Sequence, residues 1–225
     1  DLDGDDIQLG DGDDTVDVNM SGNDVNSGTV IDADTIQVET SGSASTFDAT
    51  DVTSSSDFNH DANGGQNLTI NNLAGGSGVT VSTDIGGQTL TLTQETVSGD
   101  SDALDLTFTN QTTSAASLDV SQAGLETLNL TVNTTGGVDL TGGSTDIQAG
   151  TIDVNSGDDD SSSLDLGTLT TETSTVDASD FTSDLTVTGN TDDETITGGS
   201  GADTLDGGGG DDTIEGGAGD DTITM

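Results

Sequence analysis

Three consecutive nine-residue segments at the end of the sequence share one pattern of glycine, acid and aliphatic residue. They read GGSGADTLD, GGGGDDTIE and GGAGDDTIT. Glycine tolerates the backbone conformations of tight turns, and one aliphatic residue two positions after the acid suits a very short strand with one buried side chain. The pattern therefore predicts a turn and a short strand in every segment. Two segments would close one coil, so that each turn stacks on the turn two segments further along the chain.

Stacked turns would bring acids together. In this arrangement Asp203 lies over Asp221 and Glu194 lies over Asp212, and backbone carbonyl groups turn towards the same points. Such oxygen cages, one between each pair of stacked turns, suit calcium, which prefers hard oxygen ligands. The predicted metal-site residues of the three segments are Gly198, Gly199, Gly201, Asp203, Gly207, Gly208, Gly210, Asp212, Gly216, Gly217, Gly219 and Asp221.

A degenerate copy, GNTDDETIT, precedes these segments in phase at residues 189–197. Its fourth position is Asp192 instead of glycine, and its sixth is Glu194 instead of aspartate. Both acids are predicted to contribute to the metal site, which would be weaker or differently shaped than the others.

The charge balance points to the same cation. The chain has 44 acidic residues and neither lysine nor arginine, which gives a formal net charge of -44. Two carboxylates about 4 Å apart repel by roughly 4 kcal/mol at an effective dielectric constant of about 20. Only 28% of the residues are hydrophobic, so the metal-free chain is expected to be disordered. Nucleic acid is excluded as a direct partner because no basic side chain can neutralise phosphate.

The nine-residue pattern resembles the repeats-in-toxin (RTX) nonapeptide, a calcium-binding β-helix repeat. The resemblance implies several Ca²⁺ ions and a calcium-bound β-roll. It extends less cleanly to the N-terminus, where DGDDIQLGDGDDTVDV repeats the spacing and implies Asp5, Gly12 and Asp14 as site residues. Asn23 keeps the phase once more, whereas the similar DADTI at residues 32–36 is out of phase.

Between residues 67 and 188 the glycines thin out and short aliphatic pairs at alternate positions recur. They lie at residues 68–70, 79–81, 90–92, 104–106, 118–120, 128–132, 138–140, 152–154, 164–166 and 185–187. Alternation of this kind indicates strands with one buried face. The spacing favours an all-β fold, a parallel β-solenoid continuous with RTX coils at both ends, and a β-sandwich of short strands is the alternative.

Four regions follow from these patterns: RTX-like coils at 1–40, an irregular loop or insertion at 41–66, a short-strand solenoid at 67–188, and an RTX β-roll at 189–225. Phe47 and Phe58 would anchor the loop to the solenoid. We also expect the chain to be a piece of a longer protein.

The Thr-, Ala- and Asn-rich strand stretches between the RTX repeats, for example AGLETLNLTVN at residues 123–133, resemble those of surface-layer (S-layer) proteins of Gram-negative bacteria of the Caulobacter type. That resemblance implies an extracellular structural protein, exported by type I secretion, that assembles with copies of itself through calcium. Contact with cell-surface polysaccharide would fall to a part outside this chain. A calcium-stiffened spacer or binding module of an RTX adhesin is the alternative, and a non-catalytic part of a secreted hydrolase is a third.

Catalysis and membrane insertion are not expected. The sequence has neither the H-E-x-x-H nor the G-x-S-x-G pattern and no tryptophan or tyrosine to form a sugar-binding platform. No apolar run is long enough for a membrane-spanning helix, which needs about 20 predominantly apolar residues.

Overall fold

The computed structural model describes the chain in segments that cover most of it. These are residues 6–9, 13–20, 25, 30–40, 43–50, 52, 57–61, 66–73, 77–82, 84–94, 102–109, 111, 115–142, 145–160 and 162–225. Their regular structure is entirely β, and the part described includes no helix that could cross a membrane.

Twenty strands follow one another within the described segments. They are β1 (Asp6–Gln8), β2 (Thr15–Met20), β3 (Val30–Asp32), β4 (Thr35–Thr40), β5 (Ser45–Asp48), β6 (Asp57–Asp61), β7 (Leu68–Leu73), β8 (Gly78–Val81), β9 (Thr89–Gln94), β10 (Ala103–Thr109), β11 (Ser117–Thr134), β12 (Val138–Asp139), β13 (Asp146–Asp160), β14 (Leu164–Thr168), β15 (Thr175–Asp180), β16 (Leu185–Thr188), β17 (Thr195–Thr197), β18 (Thr204–Asp206), β19 (Thr213–Glu215) and β20 (Thr222–Thr224).

Strands β1 and β3 form a separate parallel pair, and the other strands form two parallel walls between which the chain alternates. The first wall runs in the order β2-β4-β6-β8-β10-β11-β13-β15-β17-β19. The second wall consists of β5-β7-β9 and the start of β11, followed by β12-β14-β16-β18-β20. Because each strand pairs in parallel with strands one coil away, the fold is the predicted parallel β-solenoid. The β-sandwich alternative is wrong, since sandwiches are built from antiparallel sheets.

The length of one coil changes along the stack. On the first wall Thr151 pairs with Thr175, Thr175 with Thr195, and Thr195 with Thr213. Each of these steps along the chain is shorter than the one before it, and the last equals the two nonapeptides that the repeat predicts for one coil. The solenoid therefore narrows towards its C-terminal end while the pairing on the first wall continues.

Two long strands, β11 and β13, each pass from one wall to the other. In β11, Ser117 pairs with β9 on the second wall and Thr127 pairs with β10 on the first. The register shifts between Val120 and Leu125, where Gly124 has a φ of 97°. That left-handed conformation is easy only for glycine, so Gly124 lets the strand turn without a break.

The core of the described segments is one column of mainly aliphatic, otherwise aromatic or methionine, side chains between the walls. Every aliphatic pair predicted to face inward is buried. Its largest fully buried members include Phe47, Phe108 and Phe181. Side chains on the opposite face of the strands are mostly Thr, Asp and Asn, which explains the two-residue alternation in the sequence.

The prediction of an irregular loop at residues 41–66 is wrong for the two parts of this segment that form strands β5 and β6. Strand β5 pairs with β7, and β6 lies between β4 and β8 in the first wall. In β5 the buried side chains are Ser45 and Phe47, with Ser45 only 3% exposed. Because a buried serine replaces one aliphatic residue of the pair, the aliphatic pattern does not reveal this strand. Phe47 is buried as predicted, and the side chain of Phe58 lies outside the described residues.

Candidate metal centre

The C-terminal turns stack as predicted. The backbone N–H of Asp203 donates to Oδ1 of Asp221 at 3.0 Å, and that of Glu194 donates to Oδ1 of Asp212 at 2.9 Å. A third bond of this kind runs from the N–H of Leu185 to Oδ1 of Asp203 at 2.8 Å. Two columns of acids therefore follow the axis of the stack, and within each column the carboxylates are two repeats apart.

The first glycine of each segment provides space for the oxygen atoms. A Cβ atom on Gly198 would meet both Oδ2 of Asp203 and the carbonyl oxygen of Gly216. On Gly189 it would meet the carbonyl oxygen of Gly207 and Oε2 of Glu194. In each case a carboxylate of one coil and a carbonyl of the next converge on the same point. A side chain at the glycine would occupy that point.

The glycines at positions two and four have a different role. Gly208, Gly210, Gly217 and Gly219 have φ values between 82° and 133°, in the left-handed region. A Cβ atom at any of them would also collide with a carbonyl oxygen of the preceding coil. These glycines therefore allow the turn and the close stacking of backbones.

The equivalent glycines of the first segment, Gly199 and Gly201, stack against backbone carbonyls of the preceding coil in the same way. Neither has a positive φ. Glycine is needed at these two positions only because a side chain would not fit there. A prediction based on turn conformation alone does not reveal this need.

The two central acids are buried without a compensating positive charge. Glu194 is 2% exposed and Asp203 is 1% exposed. Oε1 of Glu194 is buried and has no hydrogen-bond partner within the described chain. Removing an ionised carboxylate from water is costly unless it is paired or coordinated. The unpaired oxygen is therefore compatible with a cation bound in this column.

Burial also changes how these acids titrate. Burial raises the pKa of Glu194 above its usual value, the negative charge of Asp212 raises it further, and the N–H of Asn190 partly opposes both. Burial likewise raises the pKa of Asp203, with Asp221 acting in the same direction against the N–H groups of Leu185 and Gly199. Both shifts show that the sites disfavour negative charge as long as no cation is bound.

This gives an expected pH dependence. A raised pKa in the folded state contributes stability that is complete below the unfolded value of about 4. The contribution is lost as pH rises through the folded-state pKa. In excess chelator, the β-sheet signal in circular dichroism is therefore expected to fall as pH rises from about 4 towards neutrality. The Glu194→Gln/Asp203→Asn variant should show a flatter curve. A signal that grows with pH in chelator would contradict the assignment.

The available donors fit calcium. Among described residues, no group of three or more histidine, cysteine, aspartate or glutamate side chains is close enough to hold a metal. Each site would thus rest on a carboxylate pair and on carbonyl oxygens such as those of Gly207 and Gly216, an all-oxygen set that calcium accepts. Bound there, the ion supplies positive charge. The residues supply its oxygens and the rigid turns that aim them.

Asp192 is placed differently from the other predicted ligands. Its side chain is exposed, and its N–H donates to Oδ1 of Asn190 at 2.7 Å. Its carbonyl oxygen lies against Gly210 of the next coil. The structure therefore brings its backbone to the stack and leaves its carboxylate outside.

Of the site residues predicted at the N-terminus, Asp14 stacks against an acid that the nine-residue repeat does not include. Asp5, Gly12 and Asn23 lie outside the described residues. The N–H of Asp14 donates to Oδ2 of Asp34 at 2.9 Å, and Oδ2 of Asp14 is buried without a hydrogen-bond partner in the described structure. Asp34 belongs to the DADTI segment, which does not keep the nine-residue spacing. The two acids stack all the same, because the coil at this end of the chain is longer than two nonapeptides.

Comparison with known proteins agrees with this geometry at the C-terminal end. No curated protein and no solved structure matches the chain. Residues 188–223 match the family model described as the RTX calcium-binding nonapeptide repeat, in four copies. The match spans the Glu194–Asp212 and Asp203–Asp221 stacks, so it supports membership of this segment in the RTX family and calcium as the ion of these coils.

Proposed function

We propose that the chain is a secreted, calcium-dependent structural protein that forms part of a self-assembling bacterial surface layer. The observation that carries the proposal is the outward face of the first wall. There, register aligns Asp105 with Asn129, Asn129 with Asp153, and Asp153 with Asp177. Polar and acidic side chains thus repeat at the spacing of the coils, about 4.8 Å, along a continuous wall.

Such a face suits calcium-mediated contacts between copies. The chain contains no lysine or arginine, so two copies cannot be joined by ordinary ion pairs between these side chains. Calcium bound between carboxylates of neighbouring molecules would remove the repulsion and link them. Regular spacing of the carboxylates along the wall would make the contacts repeat, which is what a two-dimensional layer requires.

An extracellular location is part of the proposal. Calcium sites of extracellular modules have dissociation constants of about 10⁻⁴–10⁻³ M, so they fill outside the cell and stay empty in a calcium-poor cytosol. A chain of net charge -44 would then remain unfolded before export and fold afterwards. The repeat match at residues 188–223 is consistent with this sequence of events.

A spacer of a long adhesin is the second candidate. It is supported by the same unbroken first wall, since a calcium-stiffened stack of coils is also a rigid rod. The two functions differ in whether copies associate side by side, and this association can be measured.

A calcium titration followed by circular dichroism, light scattering and electron microscopy tests the proposal. Ordered planar assemblies at millimolar calcium are the expected result. Monomeric extended rods at saturating calcium would instead favour the adhesin spacer. The Asp153→Asn/Asp177→Asn variant should fold at the same calcium concentration but assemble less, because it loses bridging carboxylates and keeps the coil sites. Equal assembly by this variant would reject the proposed contact face.

A further inference from the structure

Another stacked acid pair, Asp102 and Glu126, lies in the middle of the chain, outside the matched repeats. Strand β10 pairs with β11 so that Ala103 lies beside Thr127, which places Asp102 directly over Glu126. The N–H of Asp102 donates to Oε2 of Glu126 at 2.8 Å. In return, the carbonyl oxygen of Asp102 accepts from the N–H groups of Glu126 and Thr127 at 3.2 and 3.1 Å.

This arrangement reproduces the one at Glu194 and Asp212. In both pairs, each acid immediately precedes the residues at which the two first-wall strands begin to pair, Ala103 with Thr127 and Thr195 with Thr213. The backbone N–H of the upper acid donates to the carboxylate of the lower acid in both. In both pairs, the carbonyl oxygen of the upper acid accepts from the N–H of the threonine that directly follows the lower acid. The two pairs therefore occupy equivalent positions of different coils.

An unpaired buried oxygen points to a ligand at the Asp102–Glu126 pair. Oδ2 of Asp102 is buried and has no hydrogen-bond partner in the described structure, as is true of Oε1 of Glu194. The sequence has no lysine or arginine that could approach it. In the following coil the equivalent position is Gly150, which adds no further carboxylate. The charge of this pair must be balanced from solution.

We propose that Asp102 and Glu126 hold an additional divalent cation, of the calcium class, between two coils of the middle region. Within the described residues, the two side chains of this pair offer carboxylate oxygens, hard donors that suit calcium better than the nitrogen- and sulfur-rich ligand sets typical of zinc and copper. This inference rests on the proposed function and extends its calcium-dependent fold to the longer coils that lack the nonapeptide. It would make calcium a stabilising component of the middle of the solenoid as well as of its end.

Ion stoichiometry of the whole chain tests the inference. Bound calcium is measured by equilibrium dialysis and atomic emission for the wild type and for Asp102→Asn/Glu126→Gln, at concentrations below assembly. The variant is expected to bind one ion fewer per chain. The matched control is Asp139→Asn/Asp165→Asn, which also removes two charges from acids paired across adjacent coils. Those carboxylates accept hydrogen bonds from Thr141 and Gly167, and neither has a buried unpaired oxygen, so the control should bind as many ions as the wild type.

The outcomes separate this inference from the proposed function. If the wild type binds calcium and the Asp102→Asn/Glu126→Gln variant binds equally many ions, the site at Asp102 and Glu126 does not exist. The same conclusion follows if the control loses an ion too, since the effect would then be one of overall charge. If the wild type binds no calcium at all, the proposed function fails as well.

If the variant does not fold, the site is tested in the wild-type protein instead. Crystals grown with calcium are then measured for anomalous scattering. A peak beside Oδ2 of Asp102 supports the site, and its absence, with peaks present at Asp203 and Asp212, overturns it.

Discussion

Excess chelator is expected to abolish most of the β-sheet circular dichroism signal of this chain at neutral pH, and added calcium is expected to restore it. Glu194 and Asp203 are buried next to other acids, and the chain has no basic side chain that could balance them. Without a cation, the stacked turns must either lose their charge or separate. Loss of the turns removes the coils that depend on them.

The expected size of the effect follows from mass action. At about ten times its dissociation constant, calcium stabilises the folded form by roughly 1.4 kcal/mol per site. Several sites together reach the roughly 5–15 kcal/mol that typifies a whole domain. Binding and folding should therefore appear as one transition, as in other small metal-dependent domains.

Potassium chloride at matched ionic strength is the control for this experiment. Salt screens exposed charges but acts much less on buried pairs, so it should restore little of the sheet signal. An unchanged β-sheet spectrum in chelator would show that the coils are stable with their carboxylates uncompensated, and the calcium mechanism would be rejected.

Substitution of the first glycine of a repeat should have the second-largest effect. The Cβ atom of Gly198→Ala would fall on the point where Oδ2 of Asp203 and the carbonyl oxygen of Gly216 converge. Overpacking of this kind typically costs about 1–3 kcal/mol, and here it also displaces the oxygens that would bind the ion. We expect at least a tenfold increase in the calcium concentration at the folding midpoint.

The same repeats offer a matched control. Gly209 has open space where its Cβ would be, and its φ lies outside the left-handed region. Gly209→Ala should therefore change stability by no more than about 0.5 kcal/mol, as is usual for surface positions. Calcium titrations monitored by circular dichroism compare the two variants. Equal midpoints would show that Gly198 has no special role in the site.

Much of the fold could be predicted because its signals are local. Leu104 and Leu106 alternate with polar residues, as every other predicted pair does, and both are buried at 0% exposure. The stacking of Asp203 over Asp221 also follows from the sequence, since glycine and acid recur at a fixed interval there. Strand β5 could not be predicted in this way because Ser45 is buried in place of an aliphatic residue.

The acid pairs outside the C-terminal repeats could not be predicted from the nine-residue spacing. Asp14 and Asp34 are 20 residues apart, and Asp102 and Glu126 are 24 residues apart. The glycine-containing repeat includes Asp14 but not its partner Asp34, and no such repeat includes Asp102 or Glu126. Coil length is set by the packing of all side chains in a turn. Only the register of the strands shows which acids are neighbours.

In the C-terminal part the strands alternate strictly between the two walls, and this limits how such a chain can change in length. In the C-terminal part, β17 and β19 are neighbours on one wall, and β18, the strand of the nonapeptide between them, lies on the other. Duplication of two nonapeptides would add a complete coil and leave every later residue on its own side. Duplication of a single nonapeptide would move each subsequent strand to the opposite side. We infer that the solenoid can grow by even numbers of repeats, while odd numbers would mismatch its two sheets.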